Sequence, residues 1–258
     1  GFDTYWSVGD FRLDDMNDAF LSDASLYRQV LDRLGSELRG PSPVFNYILT
    51  YFGHLPYPLN EKRPHVIEAA EGHETVAAYA NTLYYKSREL MAFLRDLRQQ
   101  DPDALIVLFG DHLPALGNQF GGFRESGLLA SKRADFTDEM FRTLVATPLV
   151  VIDGPRGVLQ VGDLPLYQLP GLLLRLLGDE RPTMMALTAA EANAPAIRPL
   201  PGMYFIDDGE TVTTCRGTDP EPAACAESAP WLDALGVVRR DIFMADQFAL
   251  QAFAPEPE

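Results

Sequence analysis

Two apolar runs of this chain each pass through a glycine and then present a histidine. "NYILTYFG" is followed directly by His54, and "LIVLFG" by Asp111 and His112. An apolar run that breaks at glycine reads as a strand turning sharply into a loop, the place where side chains escape the core and ligand groups gather in open α/β sheets. Asp111 offers a hard carboxylate oxygen and His112 an imidazole nitrogen, a pair suited to Mn²⁺, Zn²⁺ or Mg²⁺-type ions. His54, stiffened by Pro56 and Pro58, is suited to donating to a phosphate or sulfate oxygen. A lone Asp-His pair reads first as a turn cap and a ring bound to backbone; recurrence of the layout at a second strand end moves the reading toward chemistry. Arg124, after the Gly-rich loop that follows the metal pair, is an anion contact by position only. His65 and His73 read as surface or helix-start histidines.

The elements that must position these residues have clear signals. "SDASLYRQVLDRLG" (22–35) has helix grammar, with Ser22 or Asp23 as cap, a stripe of Leu26, Val30 and Leu34, and Gly35 as stop. Residues 73–99 form the strongest predicted helix, with Val76, Ala80, Leu83, Leu90, Leu94 and Leu97 at helical spacing. "PVFNYILTYF" (43–52), "ALIVLFG" (104–110) and "TPLVVID" (147–153) read as buried strands, a short helix is expected around 135–144, and 163–178 reads as helical in its second half, with Pro170 breaking or kinking its start. Continuous apolar strands alternating with helices predict an α/β fold with a mostly parallel central sheet flanked by helices. From about residue 200 the pattern changes to short strands, a cysteine loop and a terminal helix. The expected division is therefore 1–200 and a small β-containing C-terminal appendage, 201–258.

Composition narrows the partners. With 37 acids against 21 bases the net charge is −16, which argues against nucleic acid or an anionic membrane surface. An anionic substrate in that field would call for a cation beside it. No apolar run approaches the ~20 residues of a membrane span. Cys215 and Cys225 are far too few for a zinc site and could close a disulfide loop, which would place the chain in an oxidising compartment; two free thiols are the alternative. Tyr5, Trp6 and Arg12 read either as head-group contacts or as loop packing. The opening "GFDTYW" carries no initiator Met and reads as part of something longer.

Taken in order, "GFDTYWSVGDF…SDASLYRQVL", "YILTYFGHLPY", "NTLYYKSRELMAFLRDLR", "GDHLPALG" and "TPLVV" resemble the alkaline phosphatase and sulfatase superfamily, in its lipoteichoic acid synthase and phosphoglycerol transferase branch. The resemblance covers about residues 1–180. It implies that Asp111 and His112 are ligands of one divalent ion, Mn²⁺ first and Mg²⁺ or Zn²⁺ as alternatives, and that His54 binds the phosphate-bearing group. It also implies a lipid head-group donor, a glycan acceptor and an extracytoplasmic location, with membrane association through a part of the protein beyond this chain. Ser87 departs from the branch, where many relatives carry Asp. The hydroxyl nucleophile and an acidic metal ligand of the family are expected upstream of this chain, since neither Thr4 nor Thr50 has their sequence context. A sulfatase or phosphodiesterase on the same fold, and a non-catalytic binding domain, are the alternative readings.

Overall fold

The helix signals translate directly into structure. In the computed structural model, which describes residues 2–181, 183, 185, 195–217 and 221–248, helix α1 spans Asp23–Leu34. Its Ser22 side chain accepts from the Ser25 amide, satisfying one of the amides that a helix start leaves open. Helix α2 runs Glu74–Gln100. Ahead of α1, two-residue strands β1 (Met16–Asn17) and β2 (Phe20–Leu21) form a small hairpin.

The chain divides into two compact units, 1–159 and 160–258. In the first, β3 (Leu105–Phe109), β4 (Leu149–Asp153) and β5 (Gly157–Leu159) form a three-stranded sheet, with short helices α3 (Gly121–Glu125) and α4 (Asp138–Val145) between β3 and β4. Ile106 lies opposite Ile152, so both fall on one face and meet Tyr27, Leu31, Phe93 and Leu94 from α1 and α2. Tyr27 and Phe93 stack with centroids 4.3 Å apart.

Two expectations about the strands need correction. All strand pairs among the described residues are antiparallel, not mostly parallel. β5 follows β4 through a single short turn at Gly154–Arg156, and so tight a return can only give antiparallel neighbours. The apolar run of β3 reflects packing on α1 and α2 rather than a central place among parallel strands. Segment 43–52 is not a buried strand: Phe45, Tyr47, Leu49 and Tyr51 face outward, while Ile48 packs on the core cluster and Phe52 is 1% exposed. Its inside-outside alternation is strand-like, but its backbone joins no ladder.

In the second unit, α5 (Leu169–Leu177) accepts Pro170 at its first turn, where no amide is needed, so proline starts this helix instead of breaking it. Strands β6 (Ala196–Leu200), β7 (Met203–Asp207) and β8 (Val212–Cys215) form an antiparallel sheet, and α6 spans Ala223–Met244. Cys215 and Cys225 are disulfide-bonded and fully buried. The boundary comes before 200 because residues after 160 belong with this sheet. The Tyr167 hydroxyl donates to the Ile197 carbonyl at 2.6 Å, its ring lies 5.3 Å from Trp231, and Arg198 pairs with Asp163 at 3.2 Å. β6, which contains Pro199, was not expected from the sequence.

Candidate active site

The fold brings together His54 and His112, which are 58 positions apart. Their rings meet edge to face with centroids 6.5 Å apart, and Phe20 lies 6.3 Å from His54 on another side. Both rings are set the same way. His54 Nδ1 is 3.1 Å from the Leu55 carbonyl, and His112 Nδ1 is 2.8 Å from the Leu113 carbonyl. A carbonyl only accepts, so each Nδ1 carries the proton, and the Nε2 of a neutral ring keeps its lone pair for a ligand.

The loops are tied to each other by Tyr57. Its hydroxyl donates to the Ala115 carbonyl at 2.9 Å, and its ring meets Tyr79 of α2 at 5.3 Å. Tyr57 is buried with a left-handed backbone (φ 61°), a conformation costly for a residue with a side chain. Burial raises its hydroxyl pKa, so it remains a donor. On the far side, Gly122 of α3 allows close packing against the loop that follows His112: a Cβ there would come within 2.9 Å of both Leu116 and Val76.

The His54 segment is also anchored by charge. Arg63, 5% exposed, donates to Asp15 and Glu89 at 2.7 Å each and stacks over Phe52 at 5.3 Å. The Arg63 bond holds the Asp15 carboxyl far below the usual range. Lys86 reaches Asp23, Thr50 and the Phe52 carbonyl. Burial pushes Asp23 up to about 6, outweighing Lys86. Buried ion pairs contribute little net stability because desolvation offsets attraction, but they fix geometry. Sequence reasoning missed Tyr57, Arg63 and Lys86 as site-building residues; only the "HLPY" spacing offered a hint of Tyr57.

Asp111 and His112 are solvent-facing, 70% and 64% exposed, and Asp111 Oδ2 lies 3.5 Å from His112 Nε2. A carboxylate oxygen and an imidazole lone pair at that separation fit a divalent ion as part of its ligand set. They are a pair, and no group of three or more His, Cys, Asp or Glu that could hold an ion is found among the described residues. Asp111 also accepts from the His112 amide, the turn-cap role, so the two readings coexist. Arg124 lies 3.9 Å from Glu125, and Glu125 takes His73 at 2.8 Å; no described contact joins Arg124 to the histidine pair. Arg33 lies over the rings of both Trp6 and Phe11, which meet edge to face, so Trp6 serves loop packing, while Tyr5 is exposed.

Comparison with known proteins gives the family and the fold. The chain is 28% identical over 189 residues to a protein of Rhizobium meliloti assigned to cyclic beta-1,2-glucan modification, covering 70% of this chain and 29% of that protein. It is 25% identical over 144 residues to the lipoteichoic acid synthase of Staphylococcus aureus, covering 54% of this chain and 22% of the synthase. The chain thus spans less than a third of the curated relatives it matches. Among solved structures, the lipoteichoic acid synthase LtaP from Listeria monocytogenes shares the fold at a TM-score of 0.59 and 17% identity, across 91% of this chain and 64% of that one. The Sulfatase family model matches residues 1–154, the stretch that contains both histidine loops and the helix between them. The α/β fold is that of the sulfatase-like enzymes, and the chain belongs to the Sulfatase family.

Proposed function

We propose that the site around His54, Asp111 and His112 serves transfer of a phospho-head group, of phosphoglycerol or phosphoethanolamine type, from a lipid donor to a glycan acceptor outside the cytoplasmic membrane. The observation that carries this reading is the meeting of the two imidazoles, each with Nδ1 tied to its own loop and Nε2 left for a ligand. His54, when protonated, would donate to phosphoryl oxygens and orient the group. Asp111 and His112 would hold a divalent ion, Mn²⁺ first, and when bound it would neutralise charge on those oxygens. Relatives named for lipoteichoic acid synthesis and glucan modification support the classes of donor and acceptor. The buried disulfide supports an oxidising, extracytoplasmic setting. No described helix is long and apolar enough to cross a membrane. The nucleophilic hydroxyl is assigned to none of the described residues; Thr50 Oγ1 is engaged by Lys86. Arg124 is kept as an outer anion contact.

The deciding experiment is Mn²⁺ calorimetry on the full-length protein beside its Asp111→Ala variant. The expected outcome is binding that falls by roughly 100-fold in the variant, on the scale of a damaged metal site. Equal binding in both, or none in the parent, removes Asp111 from the chemistry. The Sulfatase match favours one second reading, hydrolysis with water as acceptor. Single-turnover assays with and without a sugar acceptor separate the two.

A further inference from the structure

Lys86 lies in the middle of α2, and its ammonium uses all three of its donors on protein. Nζ donates to Asp23 Oδ2 at 2.8 Å, to Thr50 Oγ1 at 2.6 Å and to the Phe52 carbonyl at 2.8 Å. The aliphatic stem runs beneath Gly53. A Cβ on Gly53 would lie 3.4 Å from Lys86 Cδ and 3.4 Å from Thr82 Cγ2, and the glycine sits at φ +98°. His54 is the next residue. Lys86 therefore touches, by charge or by packing, Thr50, Phe52 and Gly53, three of the four residues leading into the histidine.

That placement exceeds what an ordinary ion pair requires. Asp23, fully buried at the start of α1, could be matched by one contact, yet the ammonium also holds two acceptors on a segment that no strand ladder supports. Segment 43–52 lacks the usual device that fixes an extended chain in register, and Lys86 takes its place at the end where register matters.

We propose that Lys86 is the positioning residue for His54, setting where the strand-like segment ends and so where the imidazole meets His112. This rests on the reading of His54 as a phosphate-binding group, but the two can fail separately. Lys86 touches no reacting atom. It acts through the backbone of Phe52 and Gly53. Asp23 in turn anchors Lys86 to α1.

The test is NMR of the histidine rings in the parent, in Lys86→Met paired with Asp23→Asn, and in Thr50→Val, with His54→Ala to assign the His54 signals. The paired variant removes both charges together, so no buried charge is left alone; Thr50→Val removes one contact and leaves the ion pair intact. Positioning predicts loss of the His54–His112 ring cross-peak in the paired variant and weakening in Thr50→Val. It also predicts that His54's apparent affinity for inorganic phosphate falls about tenfold in the paired variant, the scale of one lost charged hydrogen bond. An unchanged cross-peak in the folded paired variant overturns the proposal. If that variant does not fold, an unchanged cross-peak in Thr50→Val overturns it. A parent whose His54 signals ignore phosphate overturns the phosphate reading alone, since the ring cross-peak still reports on position.

Discussion

Among the described residues, two three-stranded antiparallel sheets of similar size are held in different ways. The sheet β3-β4-β5 rests on an apolar cluster from α1 and α2, with the Tyr27–Phe93 stack at its centre. Among the described residues, the sheet β6-β7-β8 buries a smaller set, Ile206, Cys215 and Cys225 flanked by Tyr204 and Ala224, with Ile197 and Phe205 also buried, and a covalent bond joins its edge strand to α6. Where enough apolar surface gathers, burial holds the sheet and leaves charged groups to shape a site above it. Where little gathers, a crosslink substitutes by restricting the unfolded chain.

The largest effect should come from the first sheet. Phe93→Ala removes half of the aromatic stack and is expected to cost about 4 kcal/mol, read by urea unfolding with amide exchange at Ile106 as the local probe. Equal loss of protection in β7 would break the contrast between the two sheets. Cys215→Ser with Cys225→Ser should cost about 3 kcal/mol, with protection lost in β7 and β8 while Ile106 is spared.

Acid titration sharpens the contrast, because the buried carboxylates lie on the first sheet's side. Asp23 is pushed up to about 6 from the ordinary 3.8, so the folded state takes up a proton across that interval, and its contribution to stability is lost as pH rises from about 4 to 6. Asp15 is shifted the other way by Arg63, and its contribution is present above the ordinary range and lost as pH falls below it. Asp23→Asn should flatten the decline between pH 4 and 6 and leave the acid limb in place, measured as urea midpoints across pH. An unchanged slope would mean that Asp23 titrates alike in both states. The smallest effect is expected at Ser22→Ala, about 1 kcal/mol for a lost cap, seen as a lower unfolding midpoint.

The sequence was most legible where the cause is local. α1 and α2 could be read because caps and helical spacing are properties of neighbours in the chain. The two histidine loops could be read because each follows an apolar run and a glycine. Segment 43–52 misled because its apolar residues were equated with burial, whereas Phe45, Tyr47, Leu49 and Tyr51 face solvent. Antiparallel pairing was hidden because strand direction depends on how the connections return. Tyr57–Ala115 and Lys86–Thr50 were invisible for the same reason: each joins residues tens of positions apart, and no short pattern records it.

Gly122 sets a limit on how this protein can change over generations. With Leu116 and Val76 closer than van der Waals contact to the space where a side chain would begin, the loop after His112 has no room to retreat toward α2. Drift that preserves the histidine pair must therefore be absorbed on the loop's open side, at an exposed position such as Ala115. A larger residue at 122 would meet both Val76 Cγ2 and the Leu116 Cβ, which every residue but glycine carries, so change near the histidine pair is reached most directly on the solvent face of the loop.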